Sequence, residues 1–329
     1  METRRTALRA LAALACAGGS ATAHRALAQE PFPSRPLRFV VPYPPGASTD
    51  NLARVFAREL ARELKVAVVV ENRPGGGSTI GAVAVRNAPA DGTTLLFQVD
   101  GLYNGKLATP GVAYEISDFE IIAPLAQTPY ALVVPASMNL QTLDDLKKRA
   151  AGKHGELDFG TLGLGVSQYQ VLATRLARHL GVTARMIPYK GGVEGATAVM
   201  AGDIDGYFAT VGLATTLKDN PRAKLVALTG ARGPNRFLPG LKSFAELGMD
   251  DMVFRSLYGV ALRAETPPAV KARLAQAVLK VAGSDEMRAA RESIALEDYP
   301  GSVDDYRREV QANLRMYQAA KAQEGAAGR

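Results

Sequence analysis

Short apolar runs alternate with stretches of helical periodicity along most of the chain. Leu37–Tyr43 has the character of a buried strand, and apolar residues then recur at helical spacing from Leu52 to Leu64. The same order returns with an apolar run at Tyr130–Ala136, followed by helical periodicity at Thr142–Ala150. Strands that alternate with helices are typical of βαβ units, so the sequence predicts an α/β fold.

The chain is long enough for two domains, because its 329 residues exceed what one compact core usually holds. Two helical stretches near the end, Pro268–Val281 and Val303–Ala319, lack strands of their own, so we expect them to pack back on the first domain. The chain would then cross between domains near Leu125–Tyr130 and near Leu228–Phe254, which predicts two lobes with a cleft. The predicted segments are residues 1–28 for an export signal, 29–128 for the first part of lobe 1, 129–250 for lobe 2 and 251–329 for the rest of lobe 1.

The N-terminus has the pattern of a secretory signal peptide. A basic segment ending at Arg9 precedes an Ala- and Leu-rich stretch and an Ala-x-Ala site, which predicts cleavage after Ala28, with Ala23 as the alternative. The Arg-Arg pair leaves both the Sec and the twin-arginine route open. Cys16 is the only cysteine and lies in this segment, so the exported chain is predicted to contain no thiol and no disulfide. A lipid anchor at Cys16 is an alternative that the sequence fits less well, because Ala13 stands where leucine would be stronger.

Charge and reactive side chains argue against several classes of protein. The formal net charge of +7 falls to +4 without residues 1–28, where four arginines face one glutamate, and no dense run of Lys and Arg is interleaved with aromatics. This pattern argues against nucleic-acid binding and suits a protein that collects anions. The three histidines have no metal-ligand spacing. An enzyme that uses Ser167 or Tyr189 with Asp205 is an alternative, but no general base accompanies them, so we expect no catalytic residue, no metal and no cofactor.

A tight turn with small residues follows the first strand and opens the first helix. The first turn of a helix leaves backbone N–H groups without partners at the positive end of its dipole, which suits an anion. Gly46 and Ala47 leave that backbone open, and Ser48 and Thr49 add hydroxyls, whereas Asp50 has the pattern of a cap. The sequence therefore predicts an anion site here, and an ordinary capped turn is the alternative.

A second turn of the same form lies near residue 163. Gly163 and Gly165 bare the backbone, Thr161 and Ser167 add hydroxyls, and a helix follows. Gln168 stands where a dinucleotide fingerprint needs its third glycine, which argues against a nucleotide site. We expect this turn to face the first one from the other lobe.

Four longer stretches share their order and spacing with one known family. They are "RPLRFVVPYPPGASTD", "VVVENRPGGGSTIGAVAV", "IPYKGGVEGATAVMAGDIDGYF" and "LYGVALRAETPPAV". The chain in this way resembles the Bug family, the periplasmic solute receptors of tripartite tricarboxylate transporters, from about residue 35 to about residue 310. The resemblance implies a type II periplasmic binding protein (Venus-flytrap) fold, in which two α/β lobes joined by crossing strands close on a ligand in the cleft.

The resemblance also implies a function. The protein would be a periplasmic receptor, expected to be a monomer, that captures a small carboxylate and delivers it to the membrane permease subunits of the transporter. A receptor that presents its bound state to a signalling partner is the alternative, since the same cleft would serve both.

The resemblance further implies that the two turns hold a carboxylate through backbone N–H groups, hydroxyls and bridging water, with a turn at 189–192 and an aspartate lining the rest of the cleft. The ligand-binding residues predicted in this way are Tyr43, Gly46, Ala47, Ser48, Thr49, Thr161, Gly163, Gly165, Val166, Ser167, Tyr189, Gly191 and Asp205.

The chain departs from the family pattern in the far wall of the cleft. A common Ser-His pair is replaced by Gln168 and Tyr169, and a stretch with Asn-Pro is replaced by Asp100–Lys106. We expect the identity of the ligand to be set by these differences and by the nearby tyrosines. The residues predicted to discriminate between ligands are Tyr43, Asp100, Tyr103, Tyr169 and Tyr189.

Overall fold

The computed structural model describes residues 32–162 and 166–327. The chain from Arg35 onward belongs to one compact unit. The predicted signal peptide, its two cleavage sites and Cys16 lie outside the described residues, as do Gly163 and Gly165 of the second turn.

Nine strands and ten α-helices are found in the described residues. Strands β1 to β9 are Leu37–Val41, Val68–Asn72, Thr94–Gln98, Phe119–Pro135, Glu156–Leu162, Thr183–Tyr189, Gly206–Thr210, Ala223–Leu228 and Arg255–Arg263. Helices α1 to α10 are Ser48–Leu64, Thr79–Arg86, Gly101–Ala108, Asp144–Ala151, Gln168–Leu180, Gly192–Ala201, Val211–Leu217, Pro268–Ala282, Asp285–Ser293 and Val303–Ala327.

The long strand β4 joins the two halves of the sheet. From Phe119 to Pro129 it pairs antiparallel with β9, and from Tyr130 onward it pairs with β7 and β8. The strand order is β2-β1-β3-β9-β4-β7-β5-β6, with β8 also paired to β4. Lobe 1 is built on β1, β2, β3, β9 and the first part of β4, and lobe 2 on the last part of β4 with β5 to β8. The predicted two-lobed α/β fold is therefore confirmed.

The chain returns to lobe 1 between Thr229 and Arg255. The Thr229 N–H donates to the Tyr130 carbonyl, and the Phe254 N–H donates to the Thr229 carbonyl, so the returning segment lies beside the point where β4 crosses. Strand β9 then begins at Arg255, opposite Pro129. Two segments thus connect the lobes, while the boundaries at residues 128 and 250 stay predictions.

Each lobe has a parallel core that brings strand ends together. In lobe 1, β1 pairs parallel with β2 and β3, and in lobe 2, β5 pairs parallel with β6 and β7. Helices α1, α3, α5 and α7 follow β1, β3, β5 and β7 directly. Because parallel strands end at the same edge of a sheet, the helix beginnings of each lobe gather at one edge, where α/β proteins bind ligands.

The three C-terminal helices pack mainly on lobe 1, and the last of them also contacts lobe 2. Helix α8 packs on α1 and β4, and α9 packs on α1, so both cover lobe 1. Helix α10 contacts β4 and α3 and also α5 of lobe 2. Its Tyr317 is fully buried, with its ring 6.3 Å from that of Phe254. Within residues 32–162 and 166–327, no helix combines the length and the apolar character that crossing a bilayer requires.

Candidate functional site

A cavity of about 670 Å³ lies between the lobes, where β1, β3, β5 and β7 end. The described members of the two predicted turns that line it are Tyr43, Thr49, Val166 and Ser167. Lobe 1 also contributes the glycine-rich segment Gly75–Ser78 and the start of α3. A second cavity, of about 550 Å³, lies within lobe 2 beside α4 and contains none of the predicted site residues.

The first turn is held together by Asp50. Its carboxylate accepts from the Gly46 N–H at 2.9 Å, from Asn72 Nδ2 at 2.8 Å and from Arg54 Nε at 2.9 Å. Burial raises the pKa of Asp50, but the hydrogen bonds from Asn72, Gly46 and Arg54 outweigh it and leave the pKa below its usual value. The N-cap of α1 is Ala47 and no side chain makes a cap hydrogen bond, so Asp50 is not the cap that the sequence suggested. It lies in the first turn of the helix and holds the preceding turn by accepting from the Gly46 N–H.

The first helical residues remain available to a ligand. Helix α1 begins at Ser48, and the N–H groups of a first helical turn have no acceptor within the helix. Thr49 lies at the cavity wall, whereas Gly46 and Ala47 do not line it. Gly46 has a φ of +81°, in the left-handed region that glycine adopts without strain, so its role is to form the turn.

The second turn ends in a capped helix. Ser167 precedes α5, and its Oγ accepts from the Gln170 N–H at 3.5 Å. Val166 and Ser167 are both buried and line the cavity, together with Leu162 at the end of β5. Thr161 lies within β5 and is not part of the wall.

A chain of hydrogen bonds runs across the cavity from one lobe to the other and back. Asn104 Nδ2 of α3 donates to Gln168 Oε1 of α5 at 2.9 Å, and Gln168 Nε2 donates to the Tyr130 hydroxyl at 3.1 Å. The Tyr130 and Ser256 hydroxyls lie 2.7 Å apart, and Ser256 Oγ donates to a carboxylate oxygen of Asp100. Four elements of the two lobes, α3, α5, β4 and β9, are thereby joined at the site.

Asp100 ends this chain and lies immediately before α3. Its side chain is 5% exposed and lines the cavity. Burial raises the pKa of Asp100 from 3.8 to about 7, against the lowering effect of the Ser256 hydrogen bond and with a further rise from Glu309. Burial and the Asp100 charge also raise the pKa of Tyr43, whose hydroxyl is hydrogen-bonded to Ser78. No lysine, arginine or histidine belongs to the described lining.

Residues 52–326 match the sequence model of the tripartite tricarboxylate transporter family receptor, TctC. The chain belongs to this receptor family. BugT of Bordetella pertussis is 34% identical over 246 residues, which cover 73% of this chain and 74% of BugT. The resemblance to the Bug family is therefore confirmed.

Solved structures agree with the fold of the receptor. An R. palustris protein solved with adipate is 25% identical, with a TM-score of 0.74 over 89% of this chain and 98% of that one. A TctC solute-binding protein from Polaromonas, solved without ligand, is 23% identical, with a TM-score of 0.73 over 90% of this chain and 99% of that one. The predicted type II periplasmic binding fold is confirmed.

Asp205 of the receptor does not line the cavity, contrary to the expectation from the resemblance. It is 1% exposed, and its carboxylate accepts from Lys153 Nζ at 2.6 Å, from Arg149 Nε at 3.2 Å and from the Asp158 N–H at 2.9 Å. Asp205 precedes β7 and so lies at the amino end of that strand, whereas the cavity lies at the carboxyl end. Its role is to tie the entry of β7 to α4 and β5.

Two further predicted residues of the receptor also lie outside the cavity wall. Tyr189 ends β6, the outermost strand of lobe 2, and Gly191 precedes α6. Neither belongs to the lining, and Tyr103 is buried in the core rather than at the wall. Of the residues expected to discriminate between ligands, the cavity thus brings together Tyr43, Asp100 and Tyr169.

Several wall residues of the receptor were missed by sequence reasoning. Tyr130 lies in an apolar run, Tyr258 lies in a stretch shared with the family, and Ser256 directly precedes that stretch. No signal in the sequence separates them from ordinary strand residues. They reach the cavity only because β4 and β9 pair antiparallel beside it, with Thr128 opposite Ser256. Gly75–Ser78 carried a signal, since three consecutive glycines before a helix leave the backbone bare.

Proposed function

We propose that this chain is a periplasmic receptor that captures a small carboxylate in the cavity between its lobes. The observation that carries the proposal is the meeting of the first turns of α1 and α5, from opposite lobes, at one cavity. Unpaired N–H groups at two helix beginnings favour an anion with several oxygens. The adipate in the R. palustris relative supports a carboxylate ligand.

The ligand would act by favouring the closed arrangement of the lobes. A ligand shifts such an equilibrium only by binding one state better than the other, and a carboxylate held by both lobes does so. The hinge would lie where β4 crosses at Pro129 and Tyr130 and where the chain returns at Thr229. The Asn104–Gln168 hydrogen bond, which joins the lobes directly, would add to the stability of the closed state.

We assign the contacts of the carboxylate to the two turns. Thr49 and the first N–H groups of α1 would bind it from lobe 1, and Val166 and Ser167 would bind it from lobe 2. Tyr43 would cover it. Three predicted residues shape these turns without lining the cavity, namely Gly46, Ala47 and Thr161. Gly163 and Gly165 lie outside the described residues, and the side chain of Ser48 lies outside the described side chains.

The receptor would act with membrane permease subunits of a tripartite tricarboxylate transporter, as a monomer exported by its signal peptide. Membership of the family supports this partnership. No catalytic role is proposed. Ser167 Oγ caps α5, and Asp205 is engaged by two cationic side chains away from the cavity, which leaves neither as a nucleophile or a base.

The proposal is tested by the thermal unfolding of the chain from residue 29 onward with monocarboxylates, dicarboxylates and tricarboxylates. A ligand at 100 times its dissociation constant adds about 2.7 kcal/mol to the free energy of unfolding, which a melting curve detects. Ser167→Trp should abolish the stabilisation, because the larger side chain fills the place of the carboxylate. Ser293→Trp is the matched control, since Ser293 is exposed at the end of α9.

A folded, ligand-free protein that no carboxylate stabilises would overturn the proposal. So would an unchanged affinity in the Ser167→Trp protein, because the second turn would then take no part in binding.

A further inference from the structure

Among the described residues, the far wall of the cavity contains one carboxyl side chain and no cationic one. Asp100 is the only Asp, Glu, Lys, Arg or His in the described lining. Within residues 32–162 and 166–327, no lysine, arginine or histidine forms an ion pair with it. The carboxylate of Glu309, which acts on it from α10, is paired with Arg255 at 3.0 Å, so that arginine is already engaged. A buried acid without a cation is unfavourable unless something else supplies one.

The chain of hydrogen bonds across the cavity ends at Asp100. When Asp100 is ionised, Ser256 donates its one hydroxyl proton to it, and the Tyr130 hydroxyl then donates to Ser256. Tyr130 in turn accepts from Gln168, and Gln168 accepts from Asn104. When Asp100 is ionised, every member of this chain donates toward it, which lowers the cost of its charge. Burial still dominates and raises the pKa of Asp100 to about 7.

Asp100 shares the cavity with the turns that we propose to bind an anion. A ligand with a second carboxylate would bring like charges together, which is costly in a buried site. A ligand with a cationic N–H donor would instead supply the cation that no described Lys, Arg or His side chain supplies to Asp100.

Building on the proposed function, we infer that the ligand is a zwitterion: an amino-carboxylate whose carboxylate lies at the turns of α1 and α5 and whose ammonium group lies against Asp100. Asp100 is then the residue that separates amino acids from dicarboxylates. The Ser256 hydroxyl orients its carboxylate, and the Tyr43, Tyr169 and Tyr258 rings around it exclude water from the ion pair.

The test compares ligands that differ only at the far end. Titration calorimetry is run with ω-aminohexanoate, adipate and hexanoate, and with γ-aminobutyrate, succinate and butyrate, on the ligand-free chain from residue 29 onward. We expect the amino acid of at least one length to bind at least tenfold more tightly than its dicarboxylate and its monocarboxylate.

The variant Asp100→Asn should remove that preference, since one charge pair at ε near 20 is worth more than one tenfold step. Asp219→Asn is the matched control, because it removes the same charge from an exposed site of lobe 2.

The outcomes separate this inference from the proposed function. Tighter binding of dicarboxylates than of amino acids would overturn the inference and leave the carboxylate receptor intact. Equal loss of affinity for all six compounds in Asp100→Asn would also overturn it, because Asp100 would then act on the fold. Binding of none of the compounds or of other carboxylates would overturn the proposed function itself. The selectivity of the unmodified protein decides the matter even if the variant fails to fold.

Discussion

The substitution Asp100→Asn should change how the stability of the ligand-free receptor depends on pH. The folded protein holds the pKa of Asp100 at about 7, against 3.8 in a free side chain. Between these values the folded carboxyl binds a proton that the unfolded one does not. The free energy of unfolding therefore falls as pH rises through this window, and the stabilisation by the proton is lost above the folded pKa.

The size of the effect follows from the two pKa values. With 3.8 in the unfolded chain and about 7 in the folded one, the proton on Asp100 contributes about 3 kcal/mol at pH 5 and almost nothing at pH 8. Asparagine carries no proton to lose, so the pH dependence of the variant should lack this contribution. At pH 8 the variant should be the more stable protein, because it no longer buries an unpaired charge.

Few other groups near Asp100 titrate in this range. Burial raises the pKa of each tyrosine that faces it above 10, so none ionises between pH 5 and 8. These tyrosines are Tyr43, Tyr103, Tyr130, Tyr169, Tyr258, Tyr306 and Tyr317. The carboxyls with lowered pKa, such as Asp50 and Asp158, are ionised throughout. The two histidines of the described chain are present in both proteins and cancel in the difference.

The assay is urea unfolding of the ligand-free protein at pH 5 and pH 8, followed by far-UV circular dichroism, for the unmodified chain, Asp100→Asn and the exposed control Asp219→Asn. The difference between the unmodified chain and Asp100→Asn should change by about 2–3 kcal/mol between the two pH values, and the control should follow the unmodified chain. The same pH dependence in all three proteins would refute the reasoning, because Asp100 would then keep an ordinary pKa.

Two further substitutions test how the site is assembled. Asn104→Ala removes the hydrogen bond to Gln168 across the cavity and should destabilise the closed state by about 1 kcal/mol. Small-angle X-ray scattering at low ligand occupancy should then show a larger radius of gyration for the variant than for the unmodified chain. An unchanged radius would mean that this bond does not help to hold the lobes together. Gly105→Ala should lower the melting temperature, because a Cβ there would lie 2.7 Å from the Gly77 carbonyl oxygen and cost about 1–3 kcal/mol. Gly240→Ala is its control, since a Cβ there meets nothing within 4 Å, and equal melting temperatures for the two variants would contradict the close approach.

The turns of the site could be predicted because their chemistry is local. A strand that runs into small residues and then a helix places N–H groups at the carboxyl edge of a sheet, whatever the rest of the chain does. Thr49 and Ser167 reach the cavity for this reason. The same logic explains why Asp205 lies outside the cavity wall, because it precedes its strand and thus lies at the opposite edge.

The floor of the site could not be predicted because it depends on long-range pairing. Tyr130 and Ser256 are 126 positions apart and meet only because β4 and β9 pair antiparallel. The segment around Gly101 and Gly105 shows the same limit. Two glycines weaken a helix, yet α3 forms there because bare backbone lets it approach Gly76–Ser78.

The acid in the wall would give the receptor a selectivity that its two turns cannot provide. Backbone N–H groups bind any carboxylate, so discrimination between ligands must come from the opposite wall, and a repulsive group excludes competitors as effectively as an attractive one selects a partner. Asp100 would do both, repelling a second carboxylate and binding an ammonium group. In the closed, empty cavity the ionised form of the same residue would be unfavourable, because closure would bury its charge without a partner. A ligand that supplies the cation would remove this cost only in the closed state, and would thereby couple binding to closure through one side chain.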